Sequence, residues 1–136
     1  MTTATPAKDW ATFLASSPNR LGQLGKGIFY NAQPEQPDEC LSVFEFAGPP
    51  SSQSHGGIAF KRFNIQIQSR GKPTDSDKAQ ERAVKAYDKI VGVKEYTIDG
   101  RTYAWITDTL QVGLLNRDRN DRPIFYFEVK TWLRIS

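Results

Sequence analysis

The sequence predicts an α+β fold: a mixed or mostly antiparallel β-sheet, an N-terminal helix, and one long central helix packed against the sheet. Three observations carry this. Apolar residues recur at helical spacing in only two stretches, one before residue 17 and one between residues 76 and 91. Period-two alternation marks Phe60 to Arg70 and much of the chain after Glu95. The strands come in runs instead of alternating with helices, which is the α+β pattern. The 136 residues suffice for one hydrophobic core, so the whole chain is read as one domain, with 1–27 as helix and connector and 48–57 as a flexible loop.

In chain order, Pro6 suits a first helical turn, and Trp10, Phe13 and Leu14 follow at i, i+3, i+4. Ser16, Ser17, Pro18 and Asn19 end that helix, and Gly22, Gly25 and Gly27 make a flexible connector. Ile28 to Tyr30 form a short strand. Cys40 to Phe46 form another, with Leu41 and Val43 on one face and Phe44 and Phe46 on the other, so both faces are expected to be covered. The segment GPPSSQSHGG, which includes Gly48, Pro49, Pro50, His55, Gly56 and Gly57, has no core anchor and is read as a flexible loop for contacting a partner. From Phe60 to Arg70, Phe63, Ile65 and Ile67 alternate with Asn64, Gln66 and Gln68, and Gly71, Lys72 and Pro73 close the strand. Thr74 or Asp75 caps a helix from about Ser76 to Val91, whose buried stripe is Ala79, Ala83, Ala86, Tyr87 and Ile90; Gly92 ends it. Asp99-Gly100 is a tight hairpin signal between Glu95–Ile98 and a return strand from Arg101 to about Val112. The charged turn NRDRNDR, 116 to 122, precedes a last strand from Pro123 to Ile135.

Composition excludes several functions. The formal charge of +3 is mildly basic and selects neither nucleic acid nor an acidic partner. No apolar run reaches the roughly 18 residues of a membrane span, and Lys8 and Asp9 interrupt the N-terminus, so neither a membrane segment nor a signal peptide is expected. His55 and Cys40 are the only histidine and cysteine. A nucleophile with its base and orienting group is not available from these two, nor is a zinc set. The glycines at 22, 25 and 27 lack the preceding strand and the Lys-Ser/Thr ending of a phosphate loop. No catalytic, metal or cofactor-binding residue is therefore assigned, and no enzyme activity is expected.

Association is the remaining theme. Simple alternation places Tyr103, Trp105, Tyr126 and Trp132 together on the second face of the last two strands. Such a face is unfavourable to leave in water. Two readings stand: the N-terminal helix, with Trp10 and Phe13, covers it, or it is a subunit or partner interface. A long strand at the C-terminus also invites edge pairing between subunits. Charged contacts are expected from Arg62, Arg70, Arg117, Asp118, Arg119, Asp121 and Arg122. A small DNA-binding module using the 117–122 turn is an alternative, weakened because Asp118 and Asp121 neutralise that cluster.

Four segments in order resemble phage tail-terminator and minor capsid proteins, the head–tail joining or tail-completion families. They are the strand FNIQIQSRG (Phe63 to Gly71), the helix DSDKAQERAVKAYDKI (Asp75 to Ile90), the hairpin IDGRTYAWI (Ile98 to Ile106), and NRDRNDRPIFYFEVKTWLRIS from Asn116 to the end. The resemblance extends over residues 5 to 136. It implies a homohexameric ring that caps the tail tube, stops its polymerisation and docks to the neck or connector, with DNA passing through the lumen without specific binding. It implies no cofactor and a place at the head–tail junction of the virion, reached from the host cytoplasm during assembly. A head-completion or neck adaptor protein is the neighbouring alternative.

Overall fold

The computed structural model describes residues 5–16, 19–46, 52–53 and 59–134, with backbone alone at Ser52, Gln53, Ala59, Phe60, Trp105, Asp108 and Thr109. In chain order the elements are α1 (Pro6–Ala15), β1 (Ile28–Tyr30), β2 (Cys40–Phe46), β3 (Ser52–Gln53), β4 (Ala59–Arg70), α2 (Ser76–Val91), β5 (Tyr96–Ile98), β6 (Arg101–Arg117) and β7 (Pro123–Arg134). The strands form one sheet in the order β1-β2-β4-β7-β6-β5, with β3 pairing β4. Only β1 and β2 are parallel; the other pairs are antiparallel, so the sheet is mixed as expected.

Both helices cover the same face. Alternation in β4 and β7 sends Ile65, Ile67, Phe127, Val129 and Leu133 to it, where they meet Trp10 and Leu14 of α1 and Ala86 and Ile90 of α2 in one buried cluster. The helix residues at the contact are small: Ala79, Ala83 and Ala86 of α2 are fully buried. Gly71 lies in the same close approach, since a Cβ there would sit 2.8 Å from the Ala79 methyl and 2.9 Å from the Asp75 carbonyl oxygen. Asp75 caps α2 by accepting from the Lys78 amide. Gly92 ends the helix at φ −80°, without the left-handed turn that usually places glycine there.

A buried ion pair fastens α1 to the β5–β6 hairpin. The Asp9 carboxylate is 2% exposed and takes two hydrogen bonds from Arg101, at 2.6 and 2.9 Å, and one from the Tyr103 hydroxyl at 2.6 Å. The Tyr96 hydroxyl donates to the Asp9 carbonyl oxygen. Around this polar centre Trp10, Phe13, Tyr96 and Tyr103 stack edge-on and tilted, with ring centres 5.0 to 5.4 Å apart at four contacts. Burial and the Asp9 carboxylate push the Tyr96 hydroxyl pKa up to about 12. Burial followed by its hydrogen bond to Asp9 raises that of Tyr103 further. The hairpin turns at Asp99 and Gly100, both at positive φ, as its sequence predicts.

Three strand expectations need correction. β6 runs to Arg117, five residues past Val112, because pairing with Pro123–Tyr126 of β7 holds Gly113 to Arg117 in the sheet. Within the segment expected to be loop, Ser52 and Gln53 pair with Phe60 and Ala59. Gly48, Pro49, Pro50, His55, Gly56 and Gly57 lie outside the described residues. The closing strand is not a free edge: β7 sits between β4 and β6.

Candidate subunit and partner interface

The face of the sheet opposite the helices is crossed by the segment 31–39, which returns the chain from β1 to the start of β2. Two arginines hold that segment down. Arg70 donates to the carbonyl oxygens of Pro34 (2.6 Å), Pro37 (2.7 Å) and Asp38 (3.0 Å). Arg122 donates to Glu35 O (2.6 Å), Asp38 Oδ1 (3.2 Å) and Asp118 Oδ2 (2.8 Å). Both arginines are buried, at 2% and 3% exposure, so they serve the fold and are not surface contacts, contrary to the sequence expectation. Arg carries enough donors in a fixed fork to gather several acceptors, which alternation in sequence does not reveal.

The rest of the 116–122 turn is also largely committed internally. Arg117 donates to the Pro73 and Asp121 carbonyl oxygens. Asp118 accepts from the amides of Asn120 and Arg122. Burial alone would raise the Asp118 pKa, but the Arg122 amide and guanidinium outweigh it and hold the carboxyl below its ordinary value. Asp121 adopts φ 62° at the turn and is exposed, as is Arg119. The phosphate-tracking stripe that a DNA reader would need is therefore reduced by the inward placement of Arg70 and Arg122.

Beyond the crossing segment this face is uncovered among the described residues. It presents Phe44, Tyr126 and Trp132, half-buried, with Phe46 at 42% exposure, around a polar centre of Asn64, Gln66, Gln68, Glu128 and Lys130. Gln33 donates to Gln68 and Gln68 to Gln66, a side-chain ladder running under the crossing segment. Arg62 lies over the Trp132 ring, 5.4 Å from its centre. Trp105 takes the register position opposite Trp132.

Tyr103 does not belong to that face. A register irregularity between Tyr103 and Trp105 pairs Tyr103 with Leu133, on the helix side, and Trp105 with Trp132. One bulge thus sends Tyr103, at 1% exposure, into the core against Trp10. For this residue the alternative holds in which α1 covers the ring. Further irregularities between Asp108 and Leu110, Leu110 and Gly113, and Leu114 and Asn116 defeat simple alternation along all of β6.

Those bulges also expose residues that sequence reasoning missed. Of the 17 residues of β6, only Arg101 to Tyr103 pair with β5, so the remainder forms a free sheet edge among the described residues. Leu110, Leu114 and Leu115 are 43%, 58% and 40% exposed along it. The available signal was the Leu114-Leu115 pair beside Gly113, which fits neither a two-residue alternation nor a turn.

Chemistry is sparse. Burial, partly offset by Arg70 and other neighbours, raises the Cys40 thiol above its ordinary range, the opposite of an activated nucleophile. Among the described residues no three His, Cys, Asp or Glu side chains converge in a way that would hold a metal ion, and no helix is long and apolar enough to cross a membrane.

Comparison with curated proteins gives no match. Residues 17–134 match a family model described as bacteriophage tail terminator protein, a span that takes in every strand and α2 and leaves out α1. The family is one of structural, virion-associated assembly proteins, whose work is contact with other tail or head components. The chain belongs to the bacteriophage tail terminator family.

Proposed function

We propose that this chain assembles into a homohexameric ring that seats on the finished tail tube, ends its polymerisation and presents the docking surface for the neck or connector. The family match over residues 17–134 carries the reading. A sheet face on which no described helix packs, carrying half-buried aromatics and the exposed Phe46, supports it, since such side chains suit a surface that is buried on assembly. On this reading Trp105, Tyr126 and Trp132, with Arg62 stacked on the last, belong to a contact surface, and the 48–57 segment contacts a partner. DNA passes through the lumen without specific binding. The role is mechanical and uses no cofactor.

Mixing the purified chain with polymerising tail tube protein tests this. Tubes of limited length with a six-fold ring at one end are expected in electron micrographs. Tubes that grow as they do without the chain, with no ring at their ends, would overturn the reading. Binding to an isolated connector but not to tube would favour the neck adaptor instead.

A further inference from the structure

Apart from Val84 on α2, the exposed large apolar side chains among the described residues fall at opposite borders of the sheet. Leu110, Leu114 and Leu115 lie on β6, while Tyr30, at 39%, and Phe46 lie on β1 and β2 at the other side. Four strand spacings separate β1 from β6, roughly 19 Å at about 4.8 Å each, so one molecule cannot bring its two sets together. We propose that the free edge of β6, with Leu110, Leu114 and Leu115, seats against the β1–β2 border of a second copy of this chain, with Tyr30 and Phe46 at the contact.

One feature selects this head-to-tail pairing over β6 against β6. A symmetric β6–β6 dimer would leave Tyr30 and Phe46 in water, whereas the head-to-tail contact covers both sets. The β1–β2 border is the shorter of the two surfaces: the seven residues of β2 span roughly 23 Å at about 3.3 Å per residue, on an edge about 10 Å thick. The strand edges themselves therefore contribute on the order of 230 Å² of the ~800 Å² each partner buries in a stable complex, and side chains flanking the two edges supply the rest. Because the two surfaces differ, each copy keeps one of each free, and the contact propagates until a rotation closes it. The inference rests on the ring proposed above and identifies the surfaces that meet in it.

Two single variants and their mixture decide it, read by sedimentation velocity with far-UV circular dichroism as the fold control. Leu114→Glu spoils the β6 surface and leaves the β2 border intact; Phe46→Glu does the reverse. Each variant alone should sediment as a folded monomer. Their equimolar mixture should double in mass and go no further, because one good pair of surfaces survives between the two. If folded Phe46→Glu still self-associates while Leu114→Glu does not, the contact is β6 to β6 and the pairing proposed here is wrong. Should either variant fail to fold, Leu115→Lys and Tyr30→Lys replace it at the same surfaces with the same expected result. Rings that survive both substitutions refute this interface and leave the ring reading intact. A wild-type chain that remains monomeric, with or without tube protein, removes both.

Discussion

Asp9→Ala tests how the N-terminal helix is held. In the folded chain the Arg101 side chain is 11% exposed and spends two of its N–H groups on Asp9. After the substitution its nearest remaining carboxylate is Asp99, at 3.8 Å and 78% exposed, which is a poor substitute. The Tyr103 hydroxyl loses its acceptor as well. Breaking one side of a buried pair typically costs about 3–5 kcal/mol, because the remaining charge stays desolvated. Against a total stability of about 5–15 kcal/mol this is a large loss. With a urea m-value of about 2 kcal/mol/M, the midpoint should fall by about 2 M without a change in slope, followed by Trp10 fluorescence and circular dichroism. Asp9→Ala combined with Arg101→Met should recover part of the loss, since the stranded cation is then gone. A loss below about 1 kcal/mol, the range of exposed pairs, would refute the description of this link as buried.

Three more expectations follow from particular contacts. Gly71→Ala should cost about 1–3 kcal/mol in a denaturant titration, because its methyl would meet Ala79 and the Asp75 backbone inside normal contact distance. Arg122→Ala should lower stability by about 3 kcal/mol and speed hydrogen exchange in the 31–39 segment, which it holds through Glu35 and Asp38. Tyr96 and Tyr103 have folded pKa values above the ordinary 10, so their neutral forms stabilise the fold. That contribution is complete below pH 10 and is lost as pH rises through about 12 and beyond. Tyrosinate absorbance at pH 11 should therefore be lower in the folded chain than in its unfolded form, and equal values would contradict the burial of these hydroxyls.

The regular parts of the chain were legible because local preference and burial agree. Pro6, Asp75 and Asp99-Gly100 mark element ends that the structure keeps, and the alternation of Phe63, Ile65 and Ile67 sets which side of β4 faces the helices. β6 was not legible, because a bulge is a two-against-one pairing that depends on the partner strand and leaves no mark in alternation. That one device misplaced Tyr103 and hid the exposed leucines. The inward arginines were obscured for a related reason. Arg70 and Arg122 reach carbonyl oxygens more than 30 residues away in sequence, so composition groups them with the surface charges of the 116–122 turn. Of the expected aromatic group, Tyr126 and Trp132 lie half-buried on the face opposite the helices and Trp105 takes the register position opposite Trp132.

The proposed role depends on copies of this chain closing into a ring. Native mass measurement of the wild-type protein across a concentration series, alone and with tail tube protein, tests it most directly. A closed species of six chains should become dominant as concentration rises or tube protein is added, with no heavier series beyond it. A mass of one chain at every concentration up to high micromolar, in both conditions, would contradict it.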